Sequence, residues 1–333
     1  MRPSTLKPLL QELLNKALTA YGIQTPRQVH FNVKQHVFLF RIHTDSAVFA
    51  LKIYPQHLSL AQRLPEIANW ISHLSDSPEH RFIKALPNRQ QRLISTIFAG
   101  KRHWCAVLYP WISGQDFPEQ LTPQHIYQWG SLLGAFHAQS AQLKDKFLES
   151  RLNTWNTVFY ASTPERLMKS SFWEQLSAPH TGLNAYYQEQ VRTVQDTLHE
   201  LWRNAEPPLR IHSDMQGPNI ICQIQQWTLL DFDDLTWGYP VQDLAIALLP
   251  LRTHSAFKSL YAHFKAGYQR LSPWPEAHEA YLDKLMTARL LVLADALLDN
   301  KTLVPSAVLE HWVHYGQKMQ AITNAPSPDG PSL

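Results

Sequence analysis

The chain has two cysteines in 333 residues, Cys105 and Cys222, and no Cys-x-x-Cys spacing. That argues against a disulfide framework or a structural zinc site and fits a reducing compartment. The 17 histidines form no His-Glu-x-x-His pattern that would suggest a metalloprotease. No run is apolar for the twenty or so residues a bilayer span needs. The greasiest stretches, near Leu244–Leu251 and Leu290–Leu298, are short or interrupted. No charged start leads into an apolar stretch with a small-residue cleavage site, so the sequence predicts a cytoplasmic protein with no membrane partner. Charge of one sign is nowhere concentrated: the formal net charge of +3 is spread along the chain. Without a basic block there is no footprint for a nucleic-acid partner. Glycine is also scarce, with none between Gly22 and Gly100.

What is present suits packed cores, with 44% hydrophobic and 17% charged residues. The length accommodates one large domain or two lobes. Leu6, Leu9, Leu10, Leu13, Leu14, Ala17, Leu18 and Tyr21 recur at helical spacing before Gly22, which predicts a core-packed helix. Val37–Ile42, Val48–Tyr54, Leu93–Phe98 and Trp104–Tyr109 are rich in β-branched and aromatic residues and are broken by turn-like segments, so they predict antiparallel hairpins. A helix over Leu60–Leu74 interrupts them. After Gly114 the pattern turns helical. Thr122 followed by Pro123 supplies an N-cap and first-turn pair for a helix through Leu143. Further helices are expected near 184–204, 240–250, 255–271, 276–299 and 305–322. The reading is an α+β chain with a small strand-rich lobe over 1–110, a connector near 109–115, a large helical lobe over 111–323, and a disordered tail over 324–333.

The most informative segment is His212-Ser213-Asp214-Met215-Gln216-Gly217-Pro218-Asn219, with Asp231 following in Leu-Leu-Asp-Phe-Asp-Asp. Phosphoryl transfer asks the protein mainly to position charge, so a few oxygen-bearing side chains at fixed spacing carry the signal. Asp214 and Asn219 lie five apart, the interval at which a kinase catalytic loop places its base and a magnesium-binding amide. Ile220 and Ile221 begin a short strand, and Trp227–Leu230 form another that ends at Asp231. The tight turn between them would bring Asn219 and Asp231 together as oxygen ligands for magnesium. Taken singly, Asp214 reads as a turn residue and Asn219 as a cap. His212 is a candidate catalytic residue alongside Asp214, and reads as fixing the loop by a backbone hydrogen bond rather than as transferring protons. Asp233 and Asp234 read either as supports for the metal site or as caps. Asp243 reads as a carboxylate that holds the 212–214 loop by its backbone N–H groups, or as a surface cap.

In the strand-rich part, Phe49-Ala50-Leu51-Lys52-Ile53-Tyr54 has the form of a Val-Ala-Ile-Lys strand, with Lys52 placed for phosphates and Glu66, on the next helix, to hold it. In the connector, backbone groups suit an adenine edge, and Leu108 or Trp111 would cover its face. Trp111 reads equally as a buried linker residue. The first hairpin, Asn32-Val33-Lys34-Gln35-His36, has no glycine to let backbone approach a phosphate closely. Contact there falls to Asn32, Lys34 or Gln35.

Together these residues resemble the aminoglycoside phosphotransferase-like kinase family, which includes choline, homoserine and fructosamine kinases and the bacterial stress-response kinase. The resemblance rests on the Lys52 strand, Glu66, the connector to Gly114, Leu132-Leu133-Gly134-Ala135-Phe136-His137, His212–Ile221 and Leu229–Leu248. It implies a bilobal protein-kinase-like fold, ATP as donor, magnesium, Asp214 as catalytic base, and Asn219 with Asp231 as metal ligands. Departures are Ser213, where the family usually has Gly, and the glycine-free hairpin. Only twelve positions separate Asp231 from Asp243, with no Ala-Pro-Glu, which favours a small hydroxylated acceptor over a protein Ser/Thr. The alternatives are a Ser/Thr protein kinase of the stress-response type and a nucleotide-binding pseudokinase. An irregular stretch over 151–183, with Trp155, Phe159, Tyr160, Arg166, Lys169, Phe172 and Trp173, is expected to cover the acceptor or to be a packing excursion.

Overall fold

The computed structural model describes residues 7–24, 26–34, 37–144, 150–160, 181–203, 206–297 and 305–325. In chain order the elements begin with α1 (Pro8–Tyr21), β1 (Gln28–Lys34), β2 (Val37–His43), β3 (Val48–Pro55) and α2 (Ser59–Ser72). Next come β4 (His80–Phe82), β5 (Ser95–Ala99), β6 (Arg102–Pro110), β7 (Gln115–Asp116), α3 (Pro123–Leu143) and α4 (Thr181–Trp202). The chain continues through β8 (Leu209–Ile211), β9 (Ile220–Cys222), β10 (Trp227–Leu229) and β11 (Thr236–Gly238). It ends with α5 (Pro240–Leu248), α6 (Phe257–Gln269), α7 (Leu282–Ala296) and α8 (Pro305–Asn324). The mixed α+β class expected from the sequence is the one observed. Asn324 belongs to α8; the expected tail beyond Ala325 lies outside the described residues, as does the tip of the first hairpin at 35–36.

Five antiparallel strands in the order β1-β2-β3-β6-β5 make the main sheet. Its pleat sends alternate residues to opposite faces. On one face Leu51 and Ile53 of β3, Phe40 and Ile42 of β2, and Ala106 and Leu108 of β6 form a core with Leu13, Leu14, Ala17 and Leu18 of α1. Burying each of those leucines contributes about 1.5–3 kcal/mol, which is what docks the helix. On the other face Tyr54, Cys105 and Val107 pack with Ala61 and Leu64 of α2. Lys52 alternates with Leu51 and Ile53, so it shares a face with Tyr54.

The chain forms two compact units that exchange segments: 1–117, 147–152 and 218–233 in one, and 118–146, 153–217 and 234–333 in the other. The expected division after residue 110 therefore differs from the observed one. The physical reason is strand pairing. β9 and β10 form a hairpin that lies between β4 and β7 in a second sheet, ordered β4-β10-β9-β7, which draws 218–233 into the first unit.

In the second unit α3 starts where Thr122-Pro123 predicted. The Thr122 hydroxyl accepts from the His125 N–H at 3.2 Å, and Pro123 occupies the first turn. α3 runs against α6 at glycine-sized separation. A β-carbon on Gly130 would stand 2.1 Å from the Phe264 carbonyl, and one on Gly267 2.0 Å from that of Tyr127. No side chain fits in either gap.

Candidate active site

β3 carries Lys52 into a pocket whose apolar wall is formed by Leu39, Ala50, Ile83, Tyr109, Trp111 and Phe232. Asn219 and Asp231 line the same pocket. The hairpin explains how they get there. Ile220 pairs with Leu229, and the Leu230 N–H donates to the Asn219 carbonyl at 2.8 Å. Asn219 and Asp231 therefore leave the same end of β9–β10. Asp231 does so in a left-handed conformation, φ 58°, which turns the chain sharply after the strand.

The Lys52 ammonium donates to Asp231 Oδ1 at 2.6 Å and to Asp233 Oδ2 at 3.0 Å. The Tyr54 hydroxyl donates to Asp233 as well, 3.0 Å from each carboxylate oxygen. Burial pulls the Lys52 pKa down, but the charges of Asp233 and Asp231 outweigh it and hold the ammonium firmly protonated. Burial raises the Asp233 carboxyl, Lys52 counteracts that, and the neighbouring charge of Asp231 adds to it. Tyr54 is raised by burial and by the charge of Asp233.

Two expectations change here. Glu66 was expected to hold Lys52; instead its carboxylate accepts from the Ser150 hydroxyl at 2.5 Å and the Arg151 N–H at 2.7 Å. The acids on Lys52 are Asp231 and Asp233. Leu108 was expected to cover an adenine face; instead its side chain belongs to the α1 core, and its carbonyl accepts from the Leu86 N–H at 2.7 Å. Strand alternation is the reason: the neighbours Val107 and Tyr109 take the other face, and Tyr109 reaches the pocket. Trp111 does line the pocket. Its N–H donates to the Val48 carbonyl at 3.0 Å, and the Arg41 guanidinium sits 4.0 Å from its ring centroid. Asn32 is exposed, and its side-chain oxygen accepts from the Val33 N–H. Gln35 and the Lys34 side chain lie outside the described residues.

The second unit holds the loop that follows β8. Asp243, fully buried at the start of α5, accepts from the backbone N–H groups of His212 and Ser213, each at 2.7 Å. This is the loop-holding arrangement expected of that residue. His137 in α3 bridges Asp243 (3.1 Å, Nε2) and the Tyr268 hydroxyl (2.8 Å, Nδ1). Donation through Nε2 leaves Nδ1 to accept, which satisfies all three groups. His212 is buried, and its Nδ1 accepts from the Asp214 N–H at 3.2 Å. Ser213 sits at φ 62°, a left-handed conformation glycine adopts without strain. That gives a physical reason for a glycine preference at this position.

The Asp214 carboxylate is held on two sides: Gln216 donates to it at 2.5 Å, and Arg289 of α7 forms an ion pair with it while also donating to the Ser213 carbonyl at 3.4 Å. Sequence reasoning missed Arg289, which lies 75 residues from Asp214. It also left Asp233 ambiguous and did not single out Tyr54. Asp234 is exposed. The Tyr160 hydroxyl is pushed up by burial and then by the Asp234 charge; Arg289 and Asp214 are also among its electrostatic neighbours. Trp155 and Phe159 are buried, whereas Arg166, Lys169, Phe172 and Trp173 lie outside the described residues.

The profile of the phosphotransferase enzyme family matches residues 36–281. Among solved structures, an amicoumacin kinase in complex with AMP-PNP, Ca2+ and Ami superposes with a TM-score of 0.73 at 16% identity, over 95% of this chain and 94% of that one. A microcompartment-associated aminopropanol kinase gives 0.72 at 18%, over 92% and 94%. A spectinomycin phosphotransferase in complex with ADP and spectinomycin gives 0.61 at 13%, over 94% and 97%. At these identities the likeness is one of fold. No curated protein matches the chain.

Proposed function

Since the chain belongs to the phosphotransferase enzyme family, we propose that it transfers the γ-phosphate of ATP, with magnesium, to a hydroxyl group of a small metabolite. The observation that carries this reading is the pocket in which Lys52, Asn219 and Asp231 meet an apolar wall. An aromatic and aliphatic slot with a few polar groups at one end suits a base with a phosphate chain. Asn219 and Asp231 supply the hard oxygen donors that magnesium takes from protein, and the ammonium of Lys52 suits phosphate oxygens. The structural neighbours bound to AMP-PNP and ADP are consistent with a nucleotide donor.

Bound nucleotide and metal supply the transferable phosphoryl group and the charge neutralisation around it. The chain supplies placement. Lys52 would bind the phosphates, Asn219 and Asp231 would hold the ion, and Tyr109 and Trp111 would exclude water from the adenine. Asp214 orients the acceptor hydroxyl and takes its proton. In a loose transition state that proton leaves late, so the carboxylate has to be well placed, and Arg289 and Gln216 hold Asp214 in position.

The acceptor is read as small because residues 232–238 are occupied by a 3₁₀ turn and by β11, which pairs with β8. Aminopropanol and spectinomycin, named for two of the neighbours, are small hydroxylated molecules of the class proposed. The test is a screen of hydroxylated metabolites following ADP release, with Asp214→Ala in parallel. Loss of the base lowers turnover about 10²–10⁴-fold while nucleotide still binds. Unchanged turnover in that variant removes Asp214 from the reaction. Label from ATP appearing on proteins of an extract, and on no metabolite, refutes the small acceptor.

A further inference from the structure

We infer that Arg41 of β2 is a positioning residue for the base of the phosphate donor: its guanidinium backs the Trp111 ring and fixes that ring as a wall of the slot before the nucleotide arrives. The inference rests on the reading of the Lys52 pocket as the ATP site.

The register of the main sheet places Arg41. Leu39 pairs with Lys52, and Arg41 pairs with Ala50. Residues two apart on a strand share a face, and Leu39, Ala50 and Lys52 all line the pocket. Arg41 therefore stands on the pocket face of the sheet, at the next pair along from the lysine. Trp111 is tied to that end by its N–H, which donates to the Val48 carbonyl at 3.0 Å. With Lys52 suited to the phosphates, the Trp111 end is left for the base.

The guanidinium carbon of Arg41 lies 4.0 Å from the Trp111 ring centroid, inside the roughly 6 Å over which the negative face of an indole attracts a cation. Trp111 lines the pocket and Arg41 does not, so the guanidinium holds the ring from behind. Arg41 Nε is buried and has no hydrogen-bond partner. A polar group buried without a hydrogen bond is unfavourable, and a planar guanidinium laid on an aromatic face recovers part of that loss.

A side chain that is ordered only when ligand binds lowers affinity by about two- to tenfold. Backed by Arg41, Trp111 is already ordered in the free protein. Only a donor that carries a base benefits, because a bare polyphosphate does not reach this wall.

The test compares ATP with inorganic tripolyphosphate, both with magnesium, by isothermal titration calorimetry. Arg41→Met weakens ATP about fivefold and tripolyphosphate less than about twofold. In a Trp111→Leu background the same substitution changes ATP affinity less than about twofold, since the ring it acts through is gone. In turnover the KM for ATP rises about fivefold while kcat stays within about twofold, a split that general loss of structure would not give. Circular dichroism checks folding, and Arg41→Gln carries the same expectations should Arg41→Met not fold. A second readout needs no nucleotide: in fluorotryptophan-labelled protein the Trp111 fluorine resonance, assigned by its loss in Trp111→Leu, shifts in Arg41→Met. Equal weakening of ATP and tripolyphosphate, an undiminished effect in the Trp111→Leu background, or an unmoved Trp111 resonance overturns the inference. Wild-type protein that binds no ATP overturns the kinase reading itself, and the fluorine spectrum then still decides whether Arg41 holds the ring.

Discussion

Replacing Asp243 by Asn probes the loop that presents Asp214 without touching Asp214 itself. The native carboxylate is fully buried and accepts three hydrogen bonds, from His212 N–H, Ser213 N–H and His137 Nε2. A hydrogen bond to a charged acceptor contributes about 1.5–3 kcal/mol, and an abandoned buried donor costs about 1–3 kcal/mol. Asparagine keeps one oxygen and so one of the two backbone donors. Its amide presents N–H to the other, leaving at least one donor unpaired where water does not reach. The expected loss is about 2–4 kcal/mol, a large share of the ~5–15 kcal/mol typical of a native protein. Urea denaturation followed by tryptophan fluorescence measures the total. Amide hydrogen exchange at His212 and Ser213 localises it, because those amides lose protection before the rest of the second unit. A stability change under ~1 kcal/mol, with both amides still protected, would refute the reasoning that this carboxylate holds the loop.

Arg289→Met removes the ion-pair partner of the Asp214 carboxylate, leaving Gln216, and lowers turnover about tenfold or more, part of the full worth of a positioned base. KM for nucleotide stays within about twofold, and Arg289→Lys recovers part of the loss; a change confined to nucleotide KM contradicts the positioning role. Ser213→Gly relieves a left-handed strain of ~1–2 kcal/mol and returns ~0.5–1 kcal/mol in chain entropy, so thermal unfolding shows it equal to wild type or slightly more stable. Ser213→Val places a β-branched residue there and destabilises by ~2 kcal/mol; equal melting of the two variants contradicts the backbone geometry. Burial, and then the charge of Asp116, raise the Cys222 thiol to about 11. Its neutral form is favoured on folding, so this contribution to stability is complete below the unfolded-state value of ~8.5 and is lost as pH rises toward the folded value. At pH 8, iodoacetamide therefore labels Cys222 at a small fraction of the rate seen in the urea-unfolded chain, and equal rates contradict the burial argument.

Much of the architecture was legible because its determinants are local. The period of α1, the Thr122-Pro123 start of α3 and the hydrophobic strands β2, β3 and β6 all depend on neighbours within a few positions. The approach of Asn219 to Asp231 was legible for the same reason, since a short hairpin is the only chain between them. The grip of Asp243 on 212–213 was only one of two readings, beside a surface cap, because its place after Pro240 at the start of an apolar helix suits both, and burial decided between them. Leu108 and Tyr109 show a subtler limit. The alternation that sends Leu108 inward is visible in the sequence, but which face is inward depends on where α1 docks. β1, Gln-Val-His-Phe-Asn-Val-Lys, alternates too, yet its polar positions concealed a strand until β2 paired with it.

The amino-acid order alone determined the long helices, the strongly hydrophobic strands and the cluster of oxygen-bearing residues from His212 to Asp231, because backbone propensity and hairpin closure act over short separations. Tertiary structure alone decided which charges meet: Lys52 with Asp233 across 181 residues, and Arg289 with Asp214 across 75. The reason is that a buried charge takes whichever opposite charge the packing brings within hydrogen-bond reach. Spacing along the chain carries no information about that distance.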